Sequence, residues 1–105
     1  MAIETKLVEL GDRTVVLREL TGADEMLAIR LLSKEFRKGE EEAAQMQQAG
    51  LLMALSVVRI DEENVGAPRT LEDAVGLLAK FKFRELAKLR KAFVELNGGE
   101  DFLQE

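Results

Sequence analysis

The sequence predicts an α+β fold, mostly α, in which an N-terminal β-hairpin packs on a bundle of about four helices. Three observations predict it. Two short β-favouring stretches flank Gly11-Asp12. From Thr21 onward, apolar residues recur at spacings of three and four. Finally, 47% hydrophobic and 33% charged residues in a chain of 105 suit a soluble globular protein with one modest core. A single domain is therefore expected over residues 1–98, with 99–105 a flexible acidic segment.

The hairpin comes first. Ile3 to Leu10 and Arg13 to Leu17 favour extended backbone, and Gly11 stands at the first position of a two-residue turn, where type II′ geometry requires positive φ. Alternation puts Leu7 with Val15 or Leu17 on one face and sends Glu4, Lys6 and Arg18 to solvent. Such a hairpin is marginal alone and must pack on helices.

Thr21 offers a hydroxyl N-cap, with Asp24 in the first turn where a carboxylate complements the helix dipole. Met26, Leu27, Ile29, Leu31 and Phe36 give this helix a broad apolar side, and Gly39 marks its stop. Residues 40–49 are strong helix formers with a solvated face. They lead into the apolar run Leu51 to Val58, expected to be the central core helix, with Gly50 a weak point inside it. Arg59 to Arg69, with its acidic residues, Asn64, Gly66 and Pro68, reads as a surface loop. Thr70 caps another helix with Leu71, Ala74, Val75 and Leu78 as its stripe. The last helix runs from about Phe83 to Leu96, with Leu86, Leu89, Phe93 and Leu96 on one side, and ends at Asn97-Gly98-Gly99.

The inventory narrows the function. There is no His, Cys, Tyr or Trp, so the side chains most used as general base near neutral pH, strong nucleophile and soft metal ligand are missing. Ser33 and Ser56 lie within helical patterns and outside any G-x-S-x-G turn. No enzyme, cofactor or metal centre is expected. The absence of cysteine fits a reducing cytoplasm. The longest apolar run, Leu51 to Val58, is far short of the roughly 20 residues a bilayer span needs. Met1 to Glu9 lacks the basic start and apolar region of a secretory signal.

Three features bear on function. Asp61, Gly66 and Glu72 fall on the frame of a calcium-binding loop, but Val65 and Arg69 occupy positions that should offer oxygen, so an acidic surface loop is the better reading. Between Lys80 and Lys91 there are six basic residues against Glu85 alone, a local +5 within a chain of net −5. Lys80, Arg84, Lys88 and Lys91 fall on one helical stripe. The remainder of the chain therefore carries −10, and with no stacking aromatics or reading helix nucleic acid is not the expected partner. Of the five phenylalanines, Phe83 and Phe93 sit at helical spacing and suit the core. Phe81, at a helix junction, and Phe102-Leu103 suit an interface.

The order of these elements resembles a known family. The phrases that carry the likeness are Val-Val-Leu-Arg-Glu-Leu-Thr-Gly-Ala-Asp24, Leu-Ser-Val-Val-Arg-Ile-Asp61, Thr-Leu-Glu-Asp73 after Pro68, and a final amphipathic helix ending Leu-Asn-Gly98. From about Thr14 to Gly98 the chain resembles the tail assembly chaperones of long-tailed bacteriophages and prophages. The resemblance implies a non-structural assembly factor of the host bacterial cytoplasm, absent from the mature virion. It would coat the tape measure protein and help bring major tail tube subunits to it. The family is not defined by catalytic or ligand-binding residues, so none transfers. The interface expected from exposure arguments comprises Phe81, Phe83, Phe102 and Leu103 with the cations Lys80, Arg84 and Lys88, and self-association is a further expectation. The alternatives are a structural tail completion or connector protein and a small nucleic-acid-binding regulator using Lys80 to Lys91.

Overall fold

The computed structural model describes residues 3–35 and 39–98. Phe36, Phe102 and Leu103 lie outside the described residues. The elements follow the order β1 (Thr5–Glu9), β2 (Thr14–Arg18), α1 (Gly22–Glu35), α2 (Glu41–Ser56), β3 (Val57–Ile60), β4 (Glu63–Asn64), α3 (Leu71–Leu78) and α4 (Phe83–Asn97). The four strands form one antiparallel sheet in chain order, with α1 and α2 inserted between β2 and β3. The expected α+β, mostly α class is the one observed.

The hairpin turns where the glycine demands it. Gly11 has φ +81° and Asp12 is not in the left-handed region, the combination of a type II′ turn, and the Leu10 N–H donates to the Arg13 carbonyl at 2.7 Å. This turn fixes Val8 opposite Val15, and the period of two then dictates every other side chain. Val8, Leu10, Val15 and Leu17 face the core. Leu7 pairs with Val16 on the outer face and is 59% exposed, against the expectation that it would share the buried face. Lys6, expected in solvent, lies opposite Leu17, and its Nζ reaches Glu95 Oε2 of α4 at 3.2 Å. The apolar pairs Leu7-Val8 and Val15-Val16-Leu17 fit either face, so only the turn register chooses.

A larger departure concerns the run Leu51 to Val58. Its helix ends at Ser56, and Val57, Val58 and Ile60 enter the sheet beside β2. β-branched side chains are stiff in a helix and pack well on a pleated surface, so the conformational change falls where branching begins. Val16 pairs with Arg59 but Leu17 with Val57, leaving Val58 as a bulge. At the junction the fully buried Ser56 hydroxyl donates to the Arg18 carbonyl at 2.7 Å, filling a ladder position that the bulged strand leaves open. The expected surface loop thus begins with two strands. Asp61, at φ +55° in their connection, binds the start of β2 through its N–H (2.7 Å to the Thr14 carbonyl) and its carboxylate (2.9 Å from the Thr14 N–H).

The helices cover one face of the sheet. α4 lies against β1 and β2, and α2 packs on α1, α3 and α4. One buried cluster joins sheet and helices through Val15, Leu17, Leu51, Leu52, Leu55, Leu89 and Phe93. On α1 the apolar residues buried are Ala28, Leu31 and Leu32, while Met26 and Ile29 from the expected apolar side stand 63% and 46% exposed. On α3 the core positions are Ala74 and Leu77, and Val75 faces outward. Thr70 caps α3 as expected, its hydroxyl accepting from the Asp73 N–H at 3.0 Å. At α1 the roles differ. The Asp24 carboxylate accepts from both the N–H and the hydroxyl of Thr21, at 2.8 and 3.1 Å, and takes both forks of the Arg18 guanidinium at 2.6 and 2.8 Å. Gly98, at φ +63°, ends α4 in the left-handed cap the sequence announces.

Gly50 sits inside α2, and a Cβ built there would meet only the Leu78 Cδ1, at 3.8 Å. Gly50→Ala removes backbone freedom from the unfolded chain and adds an ordinary contact. It should raise the unfolding free energy by about 0.5–1 kcal/mol, read as a higher urea midpoint at unchanged slope.

Candidate protein-binding surface

The surface is assembled where the hairpin turn meets the start of α4. Between α3 and α4 the chain makes a tight connection, with the Lys80 N–H donating to Leu77 and the Phe81 N–H to Leu78. This turns Phe81 inward, where it is 6% exposed. Arg13, the first residue after the hairpin turn, clamps this connection from the other side. Its guanidinium lies 4.9 Å over the Phe81 ring, donates to the Lys80 carbonyl at 3.0 Å, and stands 3.8 Å from Glu85. Glu85 also accepts from the Lys82 N–H at 2.8 Å, closing the first turn of α4.

Two consequences follow. The turn residues Gly11 and Asp12 are held beside α4, which leaves an open groove of about 490 Å³ between them and Phe83, Arg84 and Lys88. And Glu85, the sole acidic residue between Lys80 and Lys91, is engaged by Arg13 and the helix end, while Lys80, Lys82, Arg84, Lys88, Arg90 and Lys91 are all exposed. The groove therefore combines an apolar surface with a cationic rim, with the exposed Asp12 on its opposite wall.

Phe83, which helical spacing suits to the core and exposure arguments place among the interface residues, is 87% exposed, whereas Phe81, expected at an interface, is core. Only Phe93 is where helical spacing puts it, 2% exposed. Of the expected interface residues, Phe83, Lys80, Arg84 and Lys88 share this end of the molecule on the surface. Phe81 supports them from beneath, and Phe102 and Leu103 lie outside the described residues. The groove wall and the Arg13 clamp went unread in the sequence because Arg13 and Lys80 are 67 positions apart; the only signal was a cation placed directly after a tight turn.

Chemically, the groove can hold an apolar side chain against Phe83 while Lys82, Arg84 and Lys88 meet flanking carboxylates. Among the described residues no group of three or more acidic side chains is placed to hold a metal ion, and Asp61 of the calcium-like frame is bonded to Thr14 instead. Among them, too, no helix is long and apolar enough to cross a membrane. No protein family, curated protein or solved structure matches the chain.

Proposed function

We propose that the protein is a non-catalytic assembly chaperone of the kind that serves long-tailed bacteriophages. On this reading it works in the host cytoplasm, binds the tape measure protein, helps recruit major tail tube subunits, and is left out of the mature virion. The observation that carries the proposal is Phe83, 87% exposed at a groove rimmed by Lys82, Arg84 and Lys88. Burying such a ring on another polypeptide is worth roughly 2–3 kcal/mol, which gives the chain an incentive to bind that its own core does not use. Amphipathic segments of a long helical partner dock by placing apolar anchors in such a groove, with charges at the rim setting register and reversibility.

Co-expression with the products of neighbouring genes, followed by co-purification, tests the proposal. A very long helical protein or a tube protein should be retained. Phe83→Ala should weaken that retention about tenfold or more while leaving the urea midpoint of the chaperone unchanged, since the ring is outside the core. Failure of the native chain to retain either partner overturns the proposal. Mass spectrometry of purified virions separates it from a structural completion or connector protein, which would remain in the particle.

The exposed cations from Lys80 to Lys91 favour a second reading, a small nucleic-acid-binding regulator. That reading requires DNA or RNA retention that falls steeply with salt and vanishes on charge reversal at Arg84 and Lys88. Absence of retention at low salt removes it.

A further inference from the structure

We infer that the groove around Phe83 is occupied by segment 99–105 of a second copy of this chain. This rests on the reading of the groove as a protein-docking site, and it names an occupant that the partner proteins would have to displace.

The complementarity is in the sequence of the segment. Gly99-Glu-Asp-Phe-Leu-Gln-Glu105 carries the apolar pair Phe102-Leu103 between Glu100-Asp101 on one side and Glu105 on the other. The groove offers an apolar ring between cations, Lys82 and Arg84 beside Phe83 and Lys88 further along the helix. Three carboxylates meet three cations along the α4 side, where Glu85 is already engaged by Arg13 and Asp12 stands on the opposite wall, and an aromatic pair forms at the centre. Elsewhere the chain is predominantly acidic, so another acidic segment finds few such surfaces on a copy of this protein.

Reach favours a second copy over the same chain. Phe83 and Asn97 bound α4, and at about 1.5 Å per residue their Cα atoms are roughly 21 Å apart. Phe102 is separated from Asn97 by chain that spans at most about 18 Å at full extension. With the side chains added, a segment running straight back along its own helix meets Phe83 only when it is close to fully extended, a narrow set of conformations that costs the most chain entropy. A donor from a second copy has no such limit.

Sedimentation velocity of the full chain, alone and over a range of concentrations, is the test. The mean mass should rise with concentration and fall with added salt. Phe102→Ala/Leu103→Ala and, separately, Arg84→Glu/Lys88→Glu should each weaken association at least tenfold. Glu100→Lys/Asp101→Lys should do the same alone, yet mixing it with Arg84→Glu/Lys88→Glu should restore association, because only a contact between copies can be rescued by exchanged charges. Arg84 and Lys88 are exposed, and an unchanged circular dichroism spectrum for each variant establishes that any loss of association is not a loss of fold. A chain that stays monomeric, association indifferent to these variants, or absence of rescue in the mixture overturns the inference. Because no partner protein is present, capture of partners by a monomeric chain would overturn this inference alone. Self-association without capture would overturn the proposed function alone.

Discussion

Phe81→Ala should cost about 3–5 kcal/mol of unfolding free energy, a large share of what a domain of this size has in total. Phe81 is 6% exposed and belongs to the central cluster, so truncation removes buried apolar area and leaves a cavity that the short α3–α4 connection cannot close. It also deprives the Arg13 guanidinium of the ring beneath it, loosening the clamp that holds the hairpin turn against α4. Thermal unfolding should shift downward by on the order of 15 °C or more. The same substitution two residues on, at Phe83, should be nearly silent in that measurement. Opposite behaviour of these neighbours in a melt is a direct check on which ring is core. Equal destabilisation by the two variants would contradict the placement of Phe81 inside and Phe83 outside.

The second large effect concerns Asp24. The paired hydrogen bonds from Arg18 hold its carboxyl down at about 2, below the ordinary 3.8, with the Thr21 bonds adding to the shift and partial burial opposing it. The Arg18 guanidinium is shifted upward by the same bonds. Because the folded-state value of Asp24 is depressed, its contribution is fully present above the unfolded value near 4. It is lost as pH falls from about 4 to about 2. Both partners retain some contact with water, so the contribution is discounted to about 1–2 kcal/mol. Asp24→Asn should lower stability by that amount at pH 7 and by much less at pH 2, where the native carboxyl is itself becoming neutral. Urea titrations of both proteins across this range give the comparison, and a difference between them that does not shrink on acidification would contradict the assignment. The pair does more than add charge. It ties the end of β2 to the first turn of α1, fixing the angle at which the helical layer leaves the sheet.

Where the sequence was sufficient, the signal was local. Gly11 announces its turn through positive φ, Thr70 its cap through a hydroxyl three residues before the N–H it accepts, and Gly98 its stop through left-handed backbone. The stripe Leu86, Leu89, Phe93 and Leu96 is inside or against the core, because its period of 3.6 is set by the helix itself. Where local signals are ambiguous, distant partners decide the conformation. The run from Leu51 to Val58, apolar but for Ser56, satisfies helix and strand equally, and the switch at Ser56 depends on β2 being present as a partner for Val57. The candidate site divides in the same way. The cations from Lys80 to Lys91 are legible as a charge run. That Glu85 is withdrawn from it by Arg13, and that the hairpin turn forms the other wall of the groove, are long-range facts.

By itself the sequence determined the class of fold, the start of α3 and the end of α4, the hairpin turn and the charge contrast between one helix and the rest of the chain. Each of these follows from backbone dihedrals, caps or periodicity within a few residues. Only the tertiary structure decided which face of the hairpin is buried, that a second pair of strands completes the sheet, and that Phe83 rather than Phe81 meets solvent. Two apolar side chains near a helix junction have the same appetite for burial, and which one is satisfied is settled by the space left between distant elements.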